Sequence, residues 1–326
     1  MDTIGSSVDS SGWSGTGNLK YLTFQNAAQC SQDDTQKSTY ATPRCKTIGD
    51  TAFWGCTSLQ EIELPVSLTT IGHEAFRNCS GITKITVDNG TSDTSPFTPN
   101  AVSTLYKDLD LTKLPNLTFI DYEGFAGCSS LTSVTTSSHL SSLSKDTFKD
   151  CSGITSVTID AATTTLNEAC FSGCTRMATL TFNGTGVTFG KSCFNNCDAL
   201  TRVTIPNNSI LNETVFNGCD GLDDGVGVIV GTGVTFNKGK DSSAFLSCPT
   251  GTKIYLMEDE ATYISRKNNN KYAEGWNFRS YSNDAGTPLD FYCFSATQPE
   301  TTSSSWGYWH WENDIVGGTP VVWTQS

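Results

Sequence analysis

The stretch Leu59-Gln60-Glu61-Ile62-Glu63-Leu64-Pro65-Val66-Ser67-Leu68-Thr69-Thr70-Ile71-Gly72-His73-Glu74-Ala75-Phe76-Arg77-Asn78-Cys79 decides how this chain folds. Ile62 and Leu64 alternate with polar residues, which predicts a short strand with one buried face. Pro65 marks a turn, and Leu68 and Ile71 carry the apolar frame on to Ala75-Phe76. The closing Phe-x-x-Cys occurs eight times: Phe53/Cys56, Phe76/Cys79, Phe125/Cys128, Phe148/Cys151, Phe171/Cys174, Phe194/Cys197, Phe216/Cys219 and Phe245/Cys248. Successive Phe positions are 23, 49, 23, 23, 23, 22 and 29 residues apart. The 49 reads as one period plus a degenerate repeat of 26, and the 29 as one period plus six.

The frame between these marks repeats too, as in Ile82/Ile85/Val87, Ile154/Val157/Ile159, Met177/Leu180/Phe182 and Leu200/Val203/Ile205. A single unit of this size cannot bury its own apolar side, so units must stack, with neighbouring strands about 4.8 Å apart. About ten rungs are expected when the degenerate ones are counted.

On these residues the chain resembles the BspA-like leucine-rich-repeat proteins of host-associated bacteria and some mucosal protists, over about residues 19–256. The resemblance implies a β-rich solenoid, a right-handed coil of 23-residue rungs, with a role in adhesion and host-factor binding. The family brings no shared catalytic motif and names no ligand. The frame departs from the pattern at 25–44, an insertion between Phe24 and Cys45, and at 88–118, where it blurs to Leu109, Leu111, Leu114-Pro115 and Leu117. It departs again at 222–236, where Gly-Val-Gly-Val-Ile-Val widens the rung.

The ends complete the expected organisation. Residues 1–18 form an N-terminal segment. The solenoid occupies 19–256, and a short helical cap occupies 257–280. An aromatic-rich hairpin follows over 281–326. A helix at 258–272 followed by Gly275-Trp276-Asn277-Phe278 is similar to the cap of many family members, with Tyr263, Trp276 and Phe278 sealing the last rung. An uncovered end would expose apolar side chains and strand edges.

Eight cysteines at one repeat position predict an interior ladder. Its step of about 4.8 Å is too long for the Cβ separation of a disulfide, about 3.5–4.5 Å, so the ladder should be reduced and each Cys a small buried hydrophobe. Cys170 and Cys193 stand where Ala52 and Ala75 stand in other rungs, and Cys45 takes the place of Leu68, so these read as core. A Cys30–Cys45 bridge pinning the insertion is an open alternative, and Cys293 alternates with aromatics in a strand.

Sixteen per cent charged residues and abundant Thr, Ser, Asn and Gly suit a turn-rich exterior protein. A net charge of −13 repels phosphate backbones, which argues against nucleic acid. No apolar run approaches the roughly 18–20 residues that span a bilayer. The N-terminus has neither a basic start nor an apolar stretch, so an export signal is expected to lie outside this sequence. The three histidines, His73, His139 and His310, are far apart along the chain, and His73-Glu74 has no partner His four positions on. Gly225-Val226-Gly227 and Gly231-Thr232-Gly233 lack the surroundings of a phosphate loop. Neither a metal, a cofactor nor catalysis is expected, and the protein is read as a monomer.

Binding should use the outward strand positions Lys84/Thr86, Ser133/Thr135, Ser156/Thr158, Thr179/Thr181 and Arg202/Thr204. Thr suits any exposed strand, and a weakly charged, hydroxyl-lined face also suits a glycan or a protein backbone. The alternative site is an aromatic shelf of Trp306, Tyr308, Trp309 and Trp311, rings that otherwise pack on the cap. Two functions follow from these readings: a secreted or cell-surface adhesin-like module for a host extracellular protein or glycan, or a structural spacer within a larger surface protein.

Overall fold

The computed structural model describes residues 3–4, 21–22, 45–88, 108–222, 226–237, 244–249, 251–268, 279–280, 287–288, 290–299, 307–312, 316 and 319–323. The chain divides into two compact units, Met1–Thr163 and Thr164–Ser326. Each is a β-solenoid whose rung repeats three parts: a strand of three to five residues, a two-residue strand on another face, and the Phe turn.

In the first unit the longer strands pair in parallel, Tyr21–Leu22 with Glu61–Pro65 and Glu61–Pro65 with Lys84–Asp88. A second parallel set joins Asp108–Asp110, Ser133–Thr135 and Ser156–Ile159. The short strands Thr3–Ile4, Thr47–Ile48, Thr70–Ile71 and Phe119–Ile120 stack on their own face. The stack therefore includes Thr3–Ile4, inside the expected N-terminal segment 1–18, because it pairs with Thr47–Ile48.

The second unit repeats the plan. Its short strands are Thr165–Leu166, Thr188–Phe189, Ile210–Leu211 and Thr235–Phe236, and its longer ones run from Arg202–Ile205 through Gly227–Val230 to Lys253–Leu256.

Between strands, the Phe turn is a ladder of its own. The N–H of the residue two before Phe, of Phe, and of the residue two after it donates to carbonyls of the next rung. Thr51, Phe53 and Gly55 bond His73, Ala75 and Arg77 at 2.7, 2.8 and 2.7 Å. The intervening N–H groups close inside the rung, as Cys56 does on the Phe53 carbonyl at 3.1 Å. To aim alternate amides this way the chain takes positive φ two residues before Phe (Thr51, Glu74, Glu123, Asp146, Ala169, Ser192, Thr214) and two after. A left-handed residue with a side chain costs about 1–2 kcal/mol, and Thr51, Glu74, Glu123, Ala169 and Ser192 are each held by the inter-rung bond they make. After Phe the position takes Gly55, Asn78, Gly127, Asp150, Gly173, Asn196, Gly218 or Ser247, mostly the residue types that tolerate this region.

The Phe rings are fully buried and stack at 5.2 Å (Phe53/Phe76), 5.3 Å (Phe76/Phe125) and 5.6 Å (Phe125/Phe148) in the first unit. In the second they stack at 5.4 Å (Phe171/Phe194), 5.5 Å (Phe194/Phe216) and 5.6 Å (Phe216/Phe245). Burying each ring contributes roughly 1.5–3 kcal/mol, realised only when a neighbouring rung covers it.

The cysteine ladder is made of thiols. Six of the eight also do something that packing alone would not require. The Sγ of Cys79, Cys128 and Cys151 donates to the carbonyl of Phe53, Phe76 and Phe125 one rung back, at 2.9, 3.1 and 3.1 Å. Cys197, Cys219 and Cys248 do the same to Phe171, Phe194 and Phe216 at 3.4, 3.1 and 3.0 Å. Burial pushes Cys151 and Cys248 up to about 12, so these groups remain thiols. Cys170 and Cys193 are fully buried, in agreement with their reading as core. Cys30 lies outside the described residues.

Each unit holds four Phe turns, so the chain has about eight turns where ten rungs were expected. The reason lies at 88–118. Among its described residues that segment supplies a longer strand, Asp108–Asp110, and a 3-10 turn, Leu111–Lys113, and the Phe turns on either side of it stack on one another. Thr70 pairs directly with Phe119, and Phe76 lies directly on Phe125.

At the other end, the helix Glu260–Asn268 starts on Asp259, whose Oδ1 accepts the Thr262 N–H at 2.8 Å. The backbone N–H of Thr262 draws the Asp259 carboxyl below its usual range. The side chain of Tyr263, and all of Trp276 and Phe278, lie outside the described residues. Asp290–Phe294 is not one arm of the terminal hairpin, because it adds in parallel to Lys253–Leu256. Gly307–Trp311 then adds in parallel to it, and only Pro320–Val322 returns antiparallel. Pro320 lies on the edge strand, where the missing N–H removes a donor for further pairing.

Two outcomes follow from the turn ladder. The thiols of Cys128, Cys151, Cys197 and Cys219 will resist a thiol-specific disulfide reagent in native buffer and react together on unfolding; rapid native labelling would show that the ladder is not closed. Gly127 has φ +71, and a Cβ there would stand 2.3 Å from Asn78 Oδ1. Gly127→Ala should therefore cost about 1–2 kcal/mol, read as a lowered midpoint in denaturant melts.

Candidate functional site

The expected binding residues lie on the longer strands, where side chains alternate between the core and the outside. In the first unit Ile62, Ile85, Leu109, Val134 and Val157 point inward and are buried. Their neighbours face out in register: Glu61 beside Lys84, Glu63 beside Thr86, Asp108 beside Ser133 and Ser133 beside Ser156, Asp110 beside Thr135 and Thr135 beside Thr158. Lys84, Thr86, Ser133, Thr135, Ser156 and Thr158 are all half-buried by these neighbours.

Several are already engaged. Lys84 Nζ is 3.2 Å from Glu61 Oε2, and Thr86 Oγ1 donates to the Ile62 carbonyl at 3.4 Å. Ser133 Oγ donates to Asp108 Oδ1 at 2.5 Å, and Thr132 Oγ1 to the same atom at 3.1 Å. The face of this unit is thus more acidic than the hydroxyl column implies. Glu61, Glu63, Asp108 and Asp110 belong to it and were missed. The two glutamates occupy the same alternating positions as Lys84 and Thr86, so the register contained them. The two aspartates flank Leu109 in the blurred repeat, where no register was visible.

In the second unit Thr179, Thr181 and Thr204 are exposed and Arg202 is half-buried. Arg202 lies beside Gly227, whose φ is +85 and whose Cβ position is 2.4 Å from the Lys253 carbonyl. Only glycine allows that approach, which is the role of Gly227 in the Gly-rich stretch. Thr204 lies beside Ile229, which lies beside Tyr255, which lies beside Tyr292. Here the hydroxyl row gives way to an apolar block.

Tyr308, Trp309 and Trp311 of the alternative aromatic shelf belong to that end and are closed off from solvent. Trp309 is fully buried, with its Nε1–H donating to the Leu256 carbonyl at 2.7 Å. Tyr308 and Trp311 are also buried, and Tyr308 donates its hydroxyl to Glu260 Oε2 at 2.5 Å. Trp309 packs edge-on against Tyr255, Phe294 and Trp311. These rings are core, as aromatics carrying one polar group are when that group finds a partner. Trp306 lies outside the described residues.

A second outward column escaped the sequence reading. Thr47 and Thr70 stand in register on the short strands of the first unit, and Thr165 and Thr188 on those of the second, interrupted by Phe119 and Ile210.

A polar cluster lies on the turn side of the first unit. Arg77 bridges Glu74 of its own turn and Glu123 of the next, whose side chain is only 7% exposed. The His73 ring stacks on Tyr122 with centroids 5.0 Å apart. Asp146, buried, pairs with Lys149 at 3.7 Å. In the second unit the positions of Glu74, Glu123 and Asp146 are filled by Ala169, Ser192 and Thr214. Among the described residues no group of His, Cys, Asp and Glu is placed to hold a metal ion. His139 is exposed in its Ser-rich turn, and His310 stacks on Trp323 at 3.8 Å.

Hydrogen bonding to Glu123, with burial second, pushes the Tyr122 phenol from 10.0 up to about 12. A raised pKa means that this bond's contribution to stability is complete below pH 10 and disappears as the pH rises through about 12. Phenolate absorbance, taken as the difference from Tyr122→Phe, should show this late titration, and Glu123→Gln should bring it back toward 10. A Tyr122 that titrates at its ordinary value in the folded protein would remove Glu123 as its partner.

The family model described as BspA type leucine rich repeat region, in six copies, matches residues 27–107 and 103–223. Among solved structures the chain is similar to the leucine-rich-repeat protein TpLRR of T. pallidum, at 24% identity over 50% of this chain and 75% of that one, with a TM-score of 0.34. The pneumococcal vaccine antigen PcpA shares 16% identity over 69% of each chain, with a TM-score of 0.35. A leucine-rich cell surface protein of Faecalibacterium prausnitzii shares 19% over 78% of this chain and 71% of that one, with a TM-score of 0.39. No curated protein matches the sequence.

Proposed function

The chain belongs to the BspA-type leucine-rich-repeat family, and we propose that it is a secreted or cell-surface, adhesin-like module that binds an extracellular protein or glycan of a host. Leucine-rich-repeat solenoids are scaffolds for binding. No described helix is long and apolar enough to cross a membrane.

The observation that carries this reading is the outward side of the longer strands. In the first unit Ser133, Ser156, Thr135 and Thr158 stand in two registered rows beside Asp108 and Asp110. In the second, Thr179, Thr181 and Thr204 are exposed next to Arg202. Fixed by the strand ladder, such donors and acceptors lose little freedom when a ligand binds, which favours recognition of a polar surface. At the ring-lined end Tyr308, Trp309 and Trp311 are buried, which favours the strand faces over them.

The test is a screen of the purified protein against host matrix proteins and a glycan array at physiological salt. One variant carries Thr135→Lys with Thr158→Lys, the other Thr181→Lys with Thr204→Lys. Each adds two long cations to one face without touching the core, and should weaken saturable binding at least about tenfold, on the order of 1.4 kcal/mol, if that face is the site. Binding that survives both variants would move the site off the strand faces. Binding to nothing would favour the spacer.

A further inference from the structure

We propose that Asn183 is a site of spontaneous covalent modification, an amide that converts to aspartyl and isoaspartyl through a cyclic imide while the protein is folded. The chain has Asn-Gly pairs at Asn89-Gly90, Asn183-Gly184 and Asn217-Gly218. The first lies outside the described residues. The other two are the same dipeptide in opposite states, so the fold supplies its own control.

Asn217-Gly218 sits in a Phe turn and is held at every reacting atom. Its side-chain amide donates to Asn195 Oδ1 at 2.5 Å, and the Gly218 N–H donates to the Leu246 carbonyl at 3.1 Å. Gly218 is fixed at φ +67, closely covered by Asn196. Asn183-Gly184 lies in the bend between the strands Thr179–Phe182 and Thr188–Phe189. Asn183 and Thr185 are exposed, and Gly186 has nothing within 4 Å of its Cβ position. Among the described residues no hydrogen bond holds the Asn183 side chain or the Gly184 N–H. The next rung shows what restraint at this corner looks like, since Asn207 there accepts the Thr232 N–H on Oδ1 at 2.8 Å.

The chemistry needs only water. The backbone nitrogen of Gly184 attacks the side-chain carbonyl carbon of Asn183, the new C–N bond closes a five-membered imide, and the amide nitrogen leaves as ammonia. Water then opens the ring at either carbonyl, giving aspartate or isoaspartate, with no change of oxidation state. Glycine favours the step because it has no side chain to crowd the attack and rotates freely into the required conformation. Each event adds one negative charge two residues beyond Thr181.

The experiment incubates the intact protein in mildly alkaline buffer and follows both peptides by mass spectrometry, beside the same protein held unfolded in urea. In urea the two asparagines convert at comparable rates. In the folded protein Asn183 keeps converting, while Asn217 falls behind by roughly tenfold or more, because its turn must open first at a cost above about 1.4 kcal/mol. An acidic species accumulates on ion exchange and is missing from Asn183→Gln. An Asn183 that stays intact in the folded protein while the urea sample converts would overturn the proposal. Equal folded rates at Asn183 and Asn217 would also overturn it, since the fold would then not select the site.

Discussion

Everything in this molecule depends on satisfying the backbone of the Phe turn in a dry interior. Five consecutive residues bend tightly there, and their amides divide alternately between their own rung and the next. The Phe carbonyl is left with a second lone pair, and the thiol of the next rung supplies the donor. The repeat thus couples two requirements at one spacing. A ring must cover a ring at 5.2–5.6 Å, and a sulfur must reach back to a carbonyl at 2.9–3.4 Å. Cysteine meets both because it packs as a small apolar residue and still offers a weak donor. Alanine would fill the space and leave the carbonyl with one partner, while serine would bring a stronger donor together with acceptor lone pairs of its own.

This coupling explains which features were legible in the sequence. Phe-x-x-Cys and the apolar frame are side-chain requirements of the core, so residue identity records them directly. The positive φ two residues before Phe is a backbone requirement met by Thr, Glu, Asp, Ala or Ser, so nothing in the residue type announces it. Two residues after Phe, glycine and asparagine predominate, and that signal was present but needed the turn geometry to give it meaning. The cap helix was visible from its composition. The parallel addition of Asp290–Phe294 was not, because aromatics at alternating positions suit a hairpin and a sheet extension equally well.

The segment 88–118 had the widest effect on what could be read. Counting it as a rung places Arg77 and Glu123 two rungs apart, beyond the reach of a side chain. In the fold it interrupts the longer strands while the Phe turns close past it, so that Phe76 touches Phe125 and Arg77 reaches Glu123 across 46 positions of sequence. The charged cluster with His73 and Tyr122 was therefore hidden by an indel and not by weak patterning. Asp108 and Asp110 were hidden for the same reason, since a face cannot be read where the register is unknown.

The distribution of constraint also bears on function. On the turn side nearly every position answers to a neighbour in the adjacent rung, either as ring, sulfur, left-handed residue or paired amide. On the outward side of the longer strands the backbone is already satisfied by the ladder, and a side chain need only suit its neighbours in the row, either by avoiding them or by pairing as Lys84 does with Glu61. There the first unit carries Glu, Lys, Asp, Ser and Thr, while the second carries Thr and Arg before yielding to Ile229 and Tyr255. Residues free of folding duties are the ones that selection for a partner can change without cost to stability. The same freedom is why a repeat that specifies its own fold so fully carries little information about a partner: with binding on the strand face, as proposed, the positions that define the scaffold and those that would meet a ligand are disjoint.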